Sequence, residues 1–183
     1  MTDTSFSQLD ILDFWWQAGP EKWFARSDAF DADIRDRFMD AVEAAKAGKL
    51  DSWEATPHGA LALLILLDQF TRNLFRDDPR AFESDPKALG IAKRAVDAGF
   101  DRAFPPSVRV FFYLPFEHAE DIAEQERSVD LCRALNNEQF YLYALIHMDV
   151  IRRFGRFPHR NKVLGRETTA QEQAFLENGG FSA

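Results

Sequence analysis

The sequence predicts an all-α fold, a single domain of stacked antiparallel helical hairpins, and three observations carry that prediction. Apolar residues recur at helical spacing through almost every long segment. Residues that start and stop helices bracket those segments. No run of alternating β-branched residues competes for a strand, and the connections are short, which favours antiparallel neighbours.

Each element follows in order. Phe30, Ile34, Phe38, Ala41, Val42 and Ala45 make a stripe that Gly48 is placed to stop. Thr56 caps and Pro57 opens a helix expected to reach Phe75, since threonine accepts from a free amide and proline suits the first helical position. Asp85-Pro86 repeats the device for a helix that ends at Gly99. Another begins after Pro105-Pro106 and is expected to kink or divide near Pro115, its second part running to about Leu135. Asn136-Asn137 turns the chain into a helix from Glu138 to Phe154, which Gly155 ends. Thr169-Ala-Gln-Glu172 is a capping box for a last short helix that closes before Gly179. The pairing expected is 57–75 with 86–98 and 107–134 with 138–154. The whole reads as one domain over residues 1–183, with aromatic N-terminal helices (7–50) packing on a hairpin array (56–178).

Composition bounds the function. The chain has 183 residues, 46% hydrophobic, 18 of them Phe, enough for a substantial core. A net charge of -8 argues against a nucleic-acid binder, which needs a broad basic surface. The longest apolar run, Ala60 to Leu67, is far below the roughly 20 residues that cross a bilayer, so no membrane partner is expected. One cysteine, Cys132, and no visible signal peptide fit a cytoplasmic protein.

Four polar sets interrupt the apolar pattern. Asp68, Gln69, Arg72 and Asn73 lie on a helix that is apolar nearly all round, and a buried charge there needs a partner; Asp68 with Arg72, four apart, is the expected pair. Glu117, His118, Asp121 and Gln125 are expected to crowd one arc beside a core stripe, with Glu120, Glu124 and Glu126 facing water. His147 sits alone on an apolar face, where a hydrogen-bonded core histidine competes with a ligand-binding one. Finally, Val150 to Arg166 contains no Asp or Glu but carries Arg152, Arg153, Arg156, His159, Arg160, Lys162 and Arg166, with Asn161 among them. Arg152 and Arg153 suit the carbonyl end of a helix. Arg156, His159, Arg160 and Asn161 occupy a Gly- and Pro-punctuated loop, and arginine forks match carboxylate and phosphate oxygens in two-point geometry.

Leu67-Asp-Gln-Phe-Thr-Arg-Asn73, Tyr113-Leu-Pro-Phe-Glu-His-Ala-Glu-Asp121 and Arg153-Phe-Gly-Arg-Phe-Pro-His-Arg-Asn161 with Leu164-Gly-Arg166 resemble, in order, the signature blocks of a bacterial family, domain of unknown function 924. Ile11-Leu-Asp-Phe-Trp15, Trp23-Phe24 and Thr168-Thr-Ala-Gln-Glu172 extend the resemblance over nearly the whole chain. It implies an all-helical fold similar to tetratricopeptide-repeat arrays and carries over no activity. Thr71 stands where that family usually has proline.

Three functions compete. Glu117 and Asp121 neutralise Arg156 and Arg160 in a structural ion network. Or the same groups line a pocket for a small anionic metabolite, which is bound or hydrolysed: Arg72, Arg153, Arg156 and Arg160, with Asn73, Gln125, His147 and Asn161, hold the ligand, and His118 or His159 transfers protons with Glu117 or Asp121 orienting them. Or the array binds a peptide or protein along a groove. A metal is not expected, because His-x-x-Asp is a weak spacing and the arginines would repel the ion. No phosphate-loop or dinucleotide glycine motif is present, so no cofactor is expected. Arg153-Phe-Gly-Arg-Phe-Pro158 resembles a histidine phosphatase signature but has Phe154 where the nucleophile belongs. Oligomeric state leaves no mark in the sequence.

Overall fold

A computed structural model describes residues 6–181. The two ends of the expected domain, 1–5 and 182–183, lie outside the described residues. Every regular element among those described is helical: α1 (Gln8–Ala18), α2 (Pro20–Trp23), α3 (Asp28–Lys46), α4 (Pro57–Leu64), α5 (Thr71–Leu74), α6 (Asp85–Asp97), α7 (Pro106–Glu117), α8 (Ile122–Arg133), α9 (Glu138–Phe154) and α10 (Ala170–Glu177), with short 3-10 turns between.

Three capping signals act where the sequence puts them, but Asp85 does not cap: Ser84 holds the N-cap position without a side-chain bond, and the Asp85 carboxylate goes to Arg72. The Thr56 hydroxyl accepts from Gly59 N–H at 3.1 Å, Asn137 accepts from Gln139 and Phe140, and Thr169 with Glu172 completes a capping box. Gly155 ends α9 at φ 70°, a left-handed conformation that costs glycine nothing. One boundary differs from expectation. Pro115 stays inside α7, and the break falls three residues later, at 118–121. Pro115 has no N–H to donate, so the Phe111 carbonyl loses its helical partner, and α7 ends within a turn of it.

The centre of the molecule is the stretch from Gly59 to Thr71, every residue of which is buried. α4 passes into a π turn, Ile65–Phe70, and then into α5. The Leu67 carbonyl in that wider turn receives two hydroxyls, Thr71 Oγ1 at 3.1 Å and Ser84 Oγ at 2.7 Å. Thr71 thus brings a second donor to a position where proline would bring none. α1 packs on α4, α3 packs on the π turn and α5, and α6 packs on α4. The expected limb 107–134 is two helices, α7 and α8; α6, α7, α8 and α9 then stack as sequential neighbours. Phe14, Trp15, Phe30, Phe38, Phe70 and Phe111 fill the space between the N-terminal helices and the array, so these aromatic groups are core rather than a stacking platform. α10 lies against the turn Pro158–Arg160 and builds a second, smaller cluster with Val150, Ile151, Phe157, Phe154 and Phe175.

Gly59 marks the closest approach in this packing. A Cβ there would lie 2.0 Å from the Trp53 carbonyl oxygen, a backbone atom that cannot swing away. Gly59→Ala is expected to cost about 1–3 kcal/mol in a urea unfolding titration, the range for overpacking. A variant as stable as the parent would show that α4 and the turn Asp51–Ala55 do not meet this way.

Candidate functional site

The polar groups buried by this packing converge where the π turn, the α7–α8 break, α9 and the loop 155–166 meet. Asp68, in the π turn, is 1% exposed. Its Oδ1 lies 2.7 Å from His118 Nδ1 and its Oδ2 accepts from Gln69 Nε2 at 2.7 Å. Burial works against ionisation of Asp68, yet His118, with help from Arg72 and Gln69, holds its carboxyl below the usual carboxylate range. With Nδ1–H facing the carboxylate, His118 turns Nε2 away from Asp68 on a side chain that is 18% exposed.

Glu117 and His147 form a second buried couple. Glu117 Oε1 is 3.2 Å from His147 Nδ1, which also lies 2.8 Å from the Tyr143 carbonyl. Only a protonated Nδ1 can face that carbonyl, so His147 too turns an Nε2 lone pair away from its partners. Burial, then the adjacent Asp68 charge, pushes the Glu117 carboxyl up to about 8. Burial, then His118 and Arg160, pushes His147 down to about 3. His159 is pushed down to about 4 by burial and by Arg160, and its Nδ1 is buried without a hydrogen-bond partner. At neutral pH this couple and His159 are therefore uncharged.

The arginines divide into two kinds. Arg72 forks Asp85 at 2.7 and 2.9 Å and donates to the Ala81 carbonyl. Arg156 forks Glu172 at 2.6 and 2.9 Å, and that hydrogen bond first of all holds the Glu172 carboxyl down to about 2. Arg166 forks Glu120 at 2.6 and 3.0 Å. Arg160 differs. It is 7% exposed, clamped between the Phe82 and Phe157 rings at 4.6 and 4.4 Å. Among the described residues only its Nη1 finds acceptors, the His118 carbonyl at 3.1 Å and, more distantly, Asp85 Oδ2 at 3.6 Å; its Nε is buried without a partner. Burial, then the neighbouring Arg72, lowers its pKa to about 10. Three closed forks leave Arg160 and Asp68 as charges without a two-point partner, one of each sign, on either side of His118.

Several expected members lie elsewhere. Asp121 does not share an arc with Glu117, because the helix breaks between them; it caps α8 by accepting from Ala123 N–H at 2.8 Å. Gln125 is buried but spends its amide on the Glu117 and Ala119 carbonyls at 2.6 and 2.7 Å, closing the end of α7. Asn73 donates to Asp31 at 2.8 Å, away from the centre. Arg153 is half exposed, stacks on Phe154 and Phe175, and belongs to the outer face of α9. Arg156 and Arg160 meet neither Glu117 nor Asp121: Arg156 forks Glu172, Arg160 has Asp85 at 3.6 Å, and Asn161 joins Arg156 on Glu172. Arg72 touches Asp68 only at 3.8 Å, its fork being taken by Asp85. The loop folds onto the 117–120 segment through Phe157 N–H and Arg166 on Glu120, which stays exposed as expected and pairs with them at the surface. Among the described residues no group of three or more His, Cys, Asp and Glu side chains is arranged to hold a metal ion, and no helix is long and apolar enough to cross a membrane.

Residues 11–180 match a family described as bacterial protein of unknown function, DUF924. The chain belongs to this family. A solved protein of unknown function, ATU0120 from Agrobacterium tumefaciens, is similar to it at 49% identity and a TM-score of 0.91, covering 94% of this chain and 97% of that one. No curated protein matches the chain. In this DUF924 chain the partners that the sequence did not mark are Asp85, Glu120 and Glu172, together with Asp68 as the partner of His118. Glu172 carried a signal only as a capping residue. Asp85 carried one only as a helix start.

Proposed function

We propose that the polar centre receives a small anionic ligand at Arg160, with His118 as the group that carries a proton to or from it. One observation supports this above the others: Arg72, Arg156 and Arg166 each close on a carboxylate in two-point geometry, whereas Arg160 keeps its Nε and Nη2 edge unforked. Asp68 behind His118 Nδ1 is the arrangement in which an imidazole accepts a proton at Nε2 and the carboxylate stabilises the cation formed. The reading extends to hydrolysis of a phosphate or carboxylate ester: water adds to the phosphorus or acyl carbon, the ester bond breaks, and the leaving oxygen takes a proton from His118 Nε2 that the attacking water replaces. A reducing cytoplasm suits the protein: Cys132 is buried and its thiol is pushed up to about 12, chiefly by burial, which makes it unreactive.

A thermal-shift screen of phosphates and carboxylates, with and without divalent metals, tests the reading. A ligand at a hundredfold excess over its Kd is expected to raise the midpoint by about 5–10 °C for a domain of this size. Arg160→Met should abolish that shift while Arg156→Met, which opens a closed fork, should keep it. Retention of the shift by Arg160→Met would move the site elsewhere.

A second reading has its own support. α9 exposes Leu142 and Tyr143, at 54% and 44%, an apolar face suited to a peptide or protein partner laid along a tetratricopeptide-like array. On that reading the three closed forks are a structural ion network. Recovery of a defined protein partner that Leu142→Glu no longer retains, together with no anion effect, would favour it.

A further inference from the structure

The residues after α10 fold back onto the histidines. Gly180 N–H bonds the Phe175 carbonyl at 2.9 Å and Gly179 N–H bonds the Leu176 carbonyl at 3.3 Å, with Gly179 at φ 75°, a Schellman turn. A Cβ on Gly180 would lie 2.5 Å from the Phe175 carbonyl oxygen, so the turn requires glycine there. It aims Phe181 at the polar centre. The Phe181 ring centroid lies 4.3 Å from that of His147 and 5.5 Å from that of His159. Phe181 also lines a surface cleft of about 230 Å³ with Leu145, Ile146, Asp149, Val150 and Phe175. One phenyl ring therefore separates an open, mostly apolar cleft from two uncharged imidazoles and, through the Phe157 ring, from the Arg160 guanidinium.

A bare ion has no use for such walls. A cavity of about 150 Å³ is enough to hold benzene, so the cleft and the volume of the Phe181 ring together exceed what an aryl group needs. We infer that the ligand of the polar centre is an amphiphilic small anion, a carboxylate or phosphate bearing an aryl or short acyl group, whose apolar part takes the place of the Phe181 ring while its charged head meets Arg160. This rests on the anion-site reading above and adds the ligand class to it. Phe181 then competes with the ligand: the apparent Kd is the intrinsic one divided by the fraction of molecules in which the ring has left. Swinging the 179–181 segment outward joins the cleft to the site without disturbing α9 or the closed forks.

The test is a calorimetric titration of the full chain with four probes: phenyl phosphate and 3-phenylpropionate, each against its bare counterpart, inorganic phosphate and acetate. The head group that binds decides between phosphate and carboxylate. For that head, the aryl probe is expected to bind at least about tenfold more tightly than the bare anion. Phe181→Ala should tighten the aryl probe by about a further tenfold and the bare anion by clearly less, with Phe181→Leu in between. Equal affinities for aryl and bare anions, or equal gains for both in Phe181→Ala, overturn the ligand class. If the bare anion still binds and Arg160→Met abolishes that binding, the anion site itself survives this failure. If no probe binds either the parent or Phe181→Ala, the anion-site reading falls and takes the inference with it.

Discussion

Glu117→Gln is expected to leave stability nearly unchanged at pH 5 and to raise it well above the parent at pH 8 to 9. The Glu117 carboxyl ionises near 4.5 in an unfolded chain but only near 8 in the fold, where burial and the Asp68 charge oppose its ionisation. Its contribution is fully present below pH 4.5. Between 4.5 and 8 the unfolded chain gives up a proton that the folded chain keeps, so stability falls as pH rises, by on the order of 4 kcal/mol over the window. Glutamine has the same shape and no proton to lose. The two histidines set the opposite limb. His147 and His159 titrate near 6.5 when unfolded but near 3 and 4 in the fold, so below pH 6.5 the unfolded chain gains protons the fold refuses, and stability falls with falling pH. The parent should therefore be most stable between about pH 6 and 7 on account of these groups. Urea midpoints measured from pH 5 to 9 decide the matter: parent and Glu117→Gln curves that run parallel throughout would sink it. Asp68, His147 and Cys132 are the titrating neighbours of Glu117; Asp68 and His147 act at lower pH, and Cys132, whose thiol ionises near 9 only when unfolded, lowers parent and variant alike as pH nears 9.

Much of the fold was legible because helix signals are local. Thr56-Pro57, Asn137 and Thr169 mark starts through bonds that span three residues, and Gly155 marks a stop through its own φ. The break at 118–121 is less legible because Pro115 is a strong local signal, whereas the true cap, Asp121, stands among Glu117, Glu120 and Glu124 with nothing to set it apart, and Gln125 closes α7 from eight residues away. The polar centre was legible as a set of residue types but not as a set of partners. Arg72 has Asp68 four residues away and Asp85 thirteen away; spacing favours the first, and the fold gives the fork to the second. The π turn contributes to that outcome, since a wider turn takes position i+4 off the line that ordinary helical spacing assumes. Glu120 looked like one more charge on a solvated face, and only the return of the loop brings Phe157 and Arg166 to it. Phe181 gave no signal at all. Its role depends on the glycine turn at the end of α10 and on what lies beneath.

Replacing Asp68 with alanine is expected to cost about 3–5 kcal/mol, because it strands the opposite charges that face it. The carboxylate is the acceptor for both His118 Nδ1–H and Gln69 Nε2–H and lies 3.8 Å from Arg72 Nη2. Without it Gln69 keeps a buried donor unpaired, and His118 and Arg72 lose a buried counter-charge. Asp68→Asn should cost less, since an amide oxygen can still accept from His118 while the charge alone is lost. The pair is separable from its surroundings by a cycle: Asp68→Asn and His118→Asn, alone and together, should show a coupling of about 1–3 kcal/mol by urea unfolding at pH 7. Additive losses would mean that the two side chains are neighbours without being partners. The cycle also bears on function, because a carboxylate that only fills space would leave anion binding intact. If Asp68 instead stabilises the proton that His118 carries, Asp68→Asn should bind the same probe about tenfold or more weakly while Gln69→Leu, which touches the other oxygen, should change it little.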